Sequence, residues 1–261
     1  MSKEIVYVKL GGSFITLKDK PFTLNIGALD KAVAIIKNTW RKVSLLLGNG
    51  GGSFAHPVVR KYKNACPEEL LVRCHSATRK LNHIIVDKLL ENNILATTIQ
   101  TSAIIMKQNN EYKVFIDPVK TLVEKGIIPV LYGECIINSK NTYTVLSTEN
   151  VFKILSNHIK PSRIVLLTDV DGVYDKNPKK HKDAKIINVI NRRNLEEVLE
   201  ILSLSKDLDE TGSMYGKIKS TAELSEELGI PVYIVSGFNT EEAIKAILGK
   251  PLSRGTIIDM R

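Results

Sequence analysis

Two glycine-rich segments of this chain are suited to binding phosphate. KLGGS, residues 9–13, follows the strand-like run IVYVKL, and GNGGGSFAHP, residues 48–57, follows the apolar run VSLLLG. Glycine has no Cβ, so its backbone N–H groups can approach an anion closely, and the amino terminus of a following helix adds roughly half a positive charge. Two such turns in one chain predict a site that holds two phosphate groups, as phosphoryl transfer requires.

The second glycine segment predicts a helix that begins around Ser53. Serine is a favoured N-cap residue, and Pro57 is tolerated in a first turn, where backbone N–H groups have no helical partner. His56 would then lie in that turn, with its imidazole near an anion at the helix terminus. A glycine turn without a ligand and an exposed or core histidine are the alternatives.

Three lysines from distant parts of the chain are candidates to neutralise phosphate charge. Lys9 ends the first predicted strand, and open α/β sheets bind ligands at the carboxyl ends of their strands. Lys18 follows the first glycine segment. Lys217 comes shortly after Gly212, at the start of a predicted helix, where a lysine is unfavourable unless it meets an anion. A surface lysine at a strand end is the other interpretation of Lys9.

The segment TDVDGVY, residues 168–174, follows another apolar run and carries two carboxylates. Asp169, Asp171 and Gly172 fall on the turn after the predicted strand. A metal site, a turn that contacts a nucleotide and a simple polar turn are all compatible with this pattern.

The sequence lacks the signatures of several other nucleotide-binding classes. It contains no G-x-x-x-x-G-K-[ST] motif, no G-x-G-x-x-G after a strand, and neither the H-R-D nor the D-F-G motif of protein kinases. These absences argue against a P-loop nucleotide binder, a dinucleotide dehydrogenase and a protein kinase.

Composition indicates a globular protein of the cytoplasm. The chain has 261 residues, of which 43% are hydrophobic, and a formal net charge of +9. Because the lysines are scattered and there is only one tryptophan, we expect a solvated basic surface and no nucleic-acid partner. Three cysteines without close pairing indicate a reducing compartment. We recognise no signal peptide and no apolar run near the ~20 residues of a membrane span, so we expect no membrane partner.

Apolar runs that alternate with helical patterns predict an α/β protein with a largely parallel sheet. The predicted strands are 5–10, 43–48, 94–100, 126–133, 164–170 and 230–237. The predicted helices are 28–40, 53–63, 76–91, 118–125, 149–158, 195–203 and 214–228, with polar hairpin-like segments at 106–117 and 135–146. Continuously apolar strands are typical of sheets that helices cover on both faces. We expect two functional lobes that share this sheet and divide near residue 160.

Four motifs in this order, KLGGSFITLKDK, GGGSFAHP, TDVDGVY and DETGSMYGK, resemble the amino acid kinase family. Within it they are similar to the archaeal isopentenyl phosphate kinases, and the resemblance extends over nearly the whole chain. It implies an open α/β/α sandwich with a phosphate-acceptor lobe at 1–160, an ATP lobe at 161–261, and a homodimer with contacts through the first lobe.

The resemblance also implies roles for the residues of the motifs. It assigns catalysis to Lys9, Lys18, His56 and Lys217. It assigns acceptor binding to Gly51, Gly52, His56 and Gly133. It assigns ATP binding to Lys9, Gly11, Gly12, Ser13, Asp169, Asp171, Gly172, Gly212 and Lys217. ATP and Mg²⁺ are the implied cofactors, and no residue is assigned as a metal ligand.

Three positions depart from the family pattern. Asn49 stands where the family commonly has histidine, and Ala55 replaces a usual glycine, but neither change removes a backbone donor. Glu149 stands where relatives commonly carry an aspartate that orients the catalytic lysines. Its extra methylene group leaves open whether that contact forms here.

The resemblance implies ATP-dependent phosphorylation of isopentenyl phosphate to isopentenyl diphosphate, in isoprenoid biosynthesis by the alternative mevalonate pathway. A phosphate monoester has a second pKa of about 6, so near pH 7 it is a ready nucleophile that needs no general base. Dimethylallyl phosphate and longer prenyl phosphates are alternative acceptors. Another small phosphate or phosphonate such as fosfomycin, and a non-catalytic regulatory protein that binds nucleotide, are the alternative functions.

An apolar stripe on the helix predicted at 76–91 has two interpretations. Leu81, Ile84, Ile85 and Leu89 recur at helical spacing. The resemblance puts this region near the prenyl tail, whereas stripes of this kind usually pack into a core.

Overall fold

The computed structural model describes residues 3–109, 111–138, 142–178, 180–204 and 214–261. Its strands are β1 Ile5–Leu10, β2 Ser44–Asn49, β3 Ala96–Thr98, β4 Ile105–Gln108, β5 Glu111–Val114, β6 Ile128–Tyr132, β7 Glu134–Asn138, β8 Thr142–Leu146, β9 Arg163–Thr168, β10 Val189–Ile190, β11 Val232–Ser236 and β12 Thr256–Ile258. Its helices are α1 Gly12–Ile15, α2 Ile26–Thr39, α3 Gly52–Tyr62, α4 Pro67–Glu91, α5 Thr101–Ile104, α6 Asp117–Glu124, α7 Thr148–Ser156, α8 Leu195–Leu204, α9 Met214–Leu228 and α10 Thr240–Ile247.

The central sheet has eight strands in the order β10-β12-β11-β9-β1-β2-β6-β3. Its neighbours pair in parallel except β11 and β12, which are antiparallel. Lys9 lies opposite Gly48 of β2 and Leu166 of β9. The carboxyl ends of β1, β2 and β9 therefore meet at one edge, from which both glycine segments and the TDVDGVY turn emerge.

Helices cover both faces of this sheet, as the apolar strands predict. On β1, Val6 and Val8 pack on one face with α2, α4 and α10, whereas Tyr7 points to the other face, where it packs with α6, α7 and α9. The open α/β/α sandwich with a largely parallel sheet is confirmed.

The apolar stripe of α4 belongs to the core. Leu81, Ile85 and Leu89 are buried against the first face of the sheet, and Ile84 packs against the same cluster. The core interpretation is therefore confirmed for the three buried residues, and the tail-pocket interpretation stays a prediction.

The two hairpin-like segments form a second, smaller sheet in the order β5-β4-β7-β8. The pairs β4–β5 and β7–β8 are antiparallel. A ring nitrogen of His75, Nε2, lies 2.7 Å from the carbonyl oxygen of Cys135 and attaches α4 to this sheet.

Helix α4 begins nine residues earlier than the predicted start at residue 76, at Pro67. Proline at the first helical position and the acidic side chains of Glu68 and Glu69 in the first turn favour a helix start there. The predicted start is too late, although Leu70, Cys74 and Ala77 are buried and continue the apolar spacing of α4 toward its amino terminus. No helix in the described ranges has the length and apolar character needed to cross a bilayer.

Candidate active site

The two glycine segments touch each other through their backbones. After β1, Gly11 donates its N–H to Leu167 O at 2.9 Å, and after β2, Gly50 donates its N–H to Leu10 O at 3.0 Å. A Cβ atom built on Gly12 would lie 2.5 Å from the backbone nitrogen of Gly52. Glycine is therefore required at position 12 for the two loops to approach each other.

The second loop turns into α3 at Gly52, with Gly51 as the N-cap residue. The turn needs glycine because Gly52 has φ +46°, a left-handed conformation. The predicted N-cap role of Ser53 is wrong: Ser53 lies inside the helix. Its N–H donates to Thr16 Oγ1 at 2.9 Å, and its hydroxyl donates to Thr23 O at 3.0 Å. Ser53 thus connects the second glycine loop to the segment after the first loop.

Pro57 explains a further hydrogen bond between the same two segments, from Phe22 to the Ser53 carbonyl. It lies in the second turn of α3 and not, as predicted, in the first. Proline has no N–H, so the Ser53 carbonyl has no helical donor, and it accepts the N–H of Phe22 at 2.9 Å instead. The ring of Phe22 packs edge-on against Phe54, with centroids 5.5 Å apart. These contacts hold the segment that carries Lys18 against α3.

Lys9 and Glu149 form an ion pair at the end of β1. Lys9 Nζ donates a hydrogen bond to Glu149 Oε1, so the longer carboxylate does reach the lysine. Glu149 lies in the first turn of α7, where the helix dipole favours negative charge. Burial alone would raise the pKa of Glu149, but the charge and hydrogen bond of Lys9, with a smaller contribution from Lys217, lower it below its ordinary value.

A second carboxylate holds the other lysine of the first motif. Ser13 Oγ donates to Asp169 Oδ1 at 2.7 Å, and Lys18 Nζ lies 3.5 Å from Asp169 Oδ2. Burial opposes ionisation of Asp169, but the hydrogen bond from Ser13 and the charge of Lys18 lower its pKa. The structure thus brings together the first glycine loop, the Lys18 segment and the turn after β9.

Asp171 and Gly172 lie in a different environment from Asp169. Asp171 Oδ2 lies 3.0 Å from Arg254 Nε and accepts a hydrogen bond from the Tyr174 hydroxyl at 3.3 Å. A Cβ atom on Gly172 would lie 2.8 Å from Thr256 Oγ1. These two residues pack with the 254–256 segment, and their assignment to ATP stays a prediction.

His56 lies in the second turn of α3, in a positively charged environment. Burial lowers its pKa, and the charges of Arg60, Lys217 and Lys9 lower it further. A histidine with a lowered pKa is neutral near pH 7, so its imidazole can donate one N–H to an anion. The structure therefore brings His56 near two of the other three predicted catalytic residues.

Lys217 and Gly212 complete the fourth motif. Lys217 lies in the first turn of α9, and its charge acts on both His56 and Glu149. Gly212 lies outside the described residues.

Gly133 lies beside the second glycine loop. Its N–H donates to Asn49 O at 3.3 Å, and the Thr148 hydroxyl donates to the same oxygen at 2.8 Å. A Cβ atom on Gly133 would lie 3.2 Å from Thr148 N. Gly133 therefore allows the start of α7, which carries Glu149, to approach the end of β2.

Sequence reasoning missed two threonines that organise the site, Thr16 and Thr148. Thr16 Oγ1 accepts from Ser53 and donates to Gly12 O at 2.6 Å, so one hydroxyl connects both glycine loops. Thr16 lies within the first motif and Thr148 directly precedes Glu149, but their contacts with Ser53 and Asn49 join segments that are distant in sequence, so neither role could be predicted.

The side chains of the site do not form a metal centre. Within the described ranges, no group of three or more His, Cys, Asp or Glu residues is close enough to hold a metal ion. Glu149 and Asp169, the carboxylates nearest the glycine loops, are each paired with a lysine. The donor set does not fit a protein-held Mg²⁺, and we derive no step through one.

The protein is an open α/β/α sandwich. Lysines and two touching glycine loops lie together at the carboxyl edge of its sheet, and these are the features of a phosphotransferase. The sequence profile of the Amino acid kinase family matches residues 4–236. The chain belongs to the amino acid kinase family.

Individual relatives match over nearly their full length. The chain is 33% identical to the isopentenyl phosphate kinase of Methanothermobacter thermautotrophicus, over 97% of this chain and 98% of that protein. It is 29% identical to the isopentenyl phosphate kinase of Methanocaldococcus jannaschii, over 98% of each. An X-ray structure of isopentenyl phosphate kinase matches with a TM-score of 0.76 at 28% identity, covering 97% of this chain and 100% of that one.

Proposed function

We propose that this protein transfers the γ-phosphoryl group of ATP to isopentenyl phosphate and forms isopentenyl diphosphate for isoprenoid biosynthesis. The observation that carries the proposal is the backbone contact between Gly12 and Gly52, which places two phosphate-suited loops side by side. The match of relatives with this activity over almost the whole chain supports the choice of acceptor.

The reaction needs charge neutralisation more than proton transfer. Near pH 7 the acceptor phosphate is largely a dianion and can attack directly. Two anions held in line repel each other, so catalysis depends on positioning and on donors that match the transition-state charge. Lys9 and Lys18 would contact the transferring phosphoryl group, and Lys217 the ATP phosphates. The carboxylates of Glu149 and Asp169 support this by holding Lys9 and Lys18.

The acceptor phosphate would lie on the second loop and the ATP phosphates on the first. Gly51, Gly52 and Gly133 would provide backbone donors for the acceptor, and His56 a neutral N–H. Gly11, Gly12 and Ser13 would line the donor side. The nucleotide itself would bind beyond β9, at Asp169, Asp171, Gly172 and Gly212.

This assignment divides the chain into an acceptor lobe at 1–160 and an ATP lobe at 161–261. The proposed border falls between α7 and β9, and the two lobes share the central sheet through the pairing of β1 with β9. We expect Mg²⁺ to arrive with ATP, and we expect a homodimer in the cytoplasm. Three free cysteines, Cys66, Cys74 and Cys135, are consistent with a reducing compartment.

The Lys9–Glu149 pair favours an active kinase over a regulatory protein that only binds nucleotide. A protein without catalysis would have no need to hold an ammonium group at the junction of two phosphate loops.

The test is ATP-dependent product formation, followed by ³¹P NMR with isopentenyl phosphate, dimethylallyl phosphate, a long-chain prenyl phosphate and fosfomycin in parallel. We expect efficient conversion of isopentenyl phosphate to its diphosphate. Preferred turnover of fosfomycin or of a long-chain prenyl phosphate would support the kinase activity and overturn isopentenyl phosphate as the substrate. ATP binding without phosphoryl transfer to any of these acceptors would overturn the proposed kinase activity.

A further inference from the structure

A chain of side-chain hydrogen bonds runs from α4 to the acceptor loop. Asn82 of α4 is fully buried, and its Nδ2 atom donates to Asn49 Oδ1 at 2.8 Å. Asn82 Oδ1 accepts from the Thr98 hydroxyl at 2.7 Å. Asn49 is the last residue of β2 and directly precedes the glycines of the loop. Two buried amides at this point need partners, because an unsatisfied buried polar group is costly.

The orientation of both amides follows from one backbone carbonyl. Val130 O can only accept, and it lies 3.4 Å from Asn82 Nδ2. The amino group of Asn82 therefore faces β6 and β2, so Asn49 must present its oxygen to Asn82. The amino group of Asn49 then points to the loop, where it lies 3.4 Å from Gly50 O. Asn82 thus fixes which side of the Asn49 amide faces the acceptor loop.

Asn49 also connects this loop to the catalytic lysine. Its backbone oxygen accepts from Thr148, and the next residue, Glu149, binds Lys9. A shift of Asn49 would therefore move the acceptor loop relative to the start of α7. The hydrogen bonds of Asn49 therefore connect α4 with the start of α7, where Glu149 holds Lys9.

We propose that Asn82 is a positioning residue that places the acceptor loop through the Asn82–Asn49 hydrogen bond. The inference rests on the proposed function. Asn82 touches neither substrate, so its replacement should act on acceptor binding and on the transfer step without changing the affinity for ATP.

The first test variant is Asn82→Leu, which keeps a similar volume and leaves Asn49 Oδ1 without its donor. We expect the KM for isopentenyl phosphate to rise at least about tenfold. Asn49 Oδ1, a buried hydrogen-bond acceptor, would lose its donor, and the loop conformation that depends on this bond would be destabilised. We expect kcat to fall as well, with the Kd for ATP unchanged in calorimetry. Asn92→Ala is the matched control, because this asparagine is the C-cap residue of α4 and its side chain donates to Lys88 O at 2.9 Å.

A second variant, Asn82→Asp, keeps the shape of the side chain and tests the direction of the hydrogen bond. An ionised carboxylate offers no proton to Asn49, whereas a protonated one offers a single O–H, and burial favours the protonated form. We expect kcat/KM for the acceptor, divided by the wild-type value at the same pH, to recover as the pH falls from 8 to 6. A role limited to stability would not give this pH profile in folded protein.

The kinetics of the two variants decide the proposal. A raised acceptor KM with an unchanged ATP Kd, and recovery of Asn82→Asp at low pH, would support it. A folded Asn82→Leu with a wild-type acceptor KM, or equal losses for both substrates, would overturn it. If Asn82→Leu does not fold, the pH profile of Asn82→Asp decides alone, and a flat ratio would overturn the proposal. Wild-type protein that fails to turn over isopentenyl phosphate would overturn the proposed function instead.

Discussion

Lys9 Nζ donates a hydrogen bond to Glu149 Oε1, joining the end of the first strand to the start of α7 across 140 residues of sequence. The pair brings a carboxylate to the junction of the two glycine loops, and it fixes the direction of the ammonium group. Glu149 stands where relatives commonly carry an aspartate, and it still makes the contact with Lys9 that is expected of that aspartate.

Replacing Glu149 tests whether this pair aligns the lysine for transfer. Glu149→Gln keeps the length of the side chain and removes the charge, so Lys9 should be held less firmly. We expect kcat to fall by roughly 10- to 100-fold, since a misplacement of about 1 Å can cost a factor of about 100. Steady-state kinetics with both substrates would measure this. Asn150→Ala, a change at the exposed next residue of α7, is the control, and an unchanged kcat in Glu149→Gln would refute the alignment role.

The lowered pKa of Glu149 predicts a pH dependence of stability. Because the folded-state pKa lies below the ordinary value of about 4.3, the ionised carboxylate stabilises the fold at higher pH, and this contribution is lost as the pH falls through the lowered pKa. The difference in unfolding free energy between wild type and Glu149→Gln should be full at pH 6 to 7 and shrink below about pH 4.3. Urea denaturation across this range would measure it. A difference in unfolding free energy that grows as the pH falls would contradict the lowered pKa of Glu149.

Gly12 tests the contact between the loops. In Gly12→Ala the new methyl group would lie 2.5 Å from Gly52 N, so the loops must separate. We expect the Tm to fall and kcat/KM to drop by at least about 100-fold, as misaligned reactants require. Gly27→Ala is the matched control because its new Cβ would have its nearest neighbour at 3.9 Å. In a helix that change should be neutral or stabilising by about 0.5–1 kcal/mol. Equal behaviour of the two variants would argue against a tight loop contact.

Replacing His56 tests whether its neutral imidazole donates a hydrogen bond to the acceptor phosphate. His56→Ala should lower kcat/KM for isopentenyl phosphate by about 10- to 100-fold, in line with a lost hydrogen bond to a charged group, while the Kd for ATP stays unchanged. His56→Gln keeps a neutral N–H and should lose less. Kinetics and calorimetry of both variants would check this, with exposed His83→Ala as the control. Weaker ATP binding with an unchanged acceptor KM would place His56 on the other substrate.

The strands and the glycine loops could be predicted from the sequence because their signals are local. Each predicted strand is present, with its ends displaced by a few residues at most. The second loop was placed well, but Ser53 was assigned as the N-cap because nothing in the sequence shows that Thr16 and Thr23 would bind it. The strands β10 and β12 are too short to predict, with 2 and 3 residues, whereas α10 was missed although Ala243, Ala246 and Ile247 recur at helical spacing.

The parts of the site that could not be predicted depend on contacts between distant segments. The Asn82–Asn49 bond joins residues 33 positions apart, and although Asn49 departs from the family pattern, nothing in its local sequence points to Asn82 as its partner. Asp169 and Asp171 have the same residue type in one turn, yet only Asp169 reaches Ser13. Which carboxylate faces the loop is decided by the path of the chain after β9, which composition does not reveal.

The pairing of β1 with β2 has a consequence for how the enzyme can change. The two loops leave adjacent strands, whose backbones lie about 4.8 Å apart. This interval is a property of main-chain hydrogen bonds, so exchanging side chains around the acceptor leaves it intact. Substitutions around the acceptor site could therefore alter which molecule is phosphorylated without disturbing the separation of the two loops.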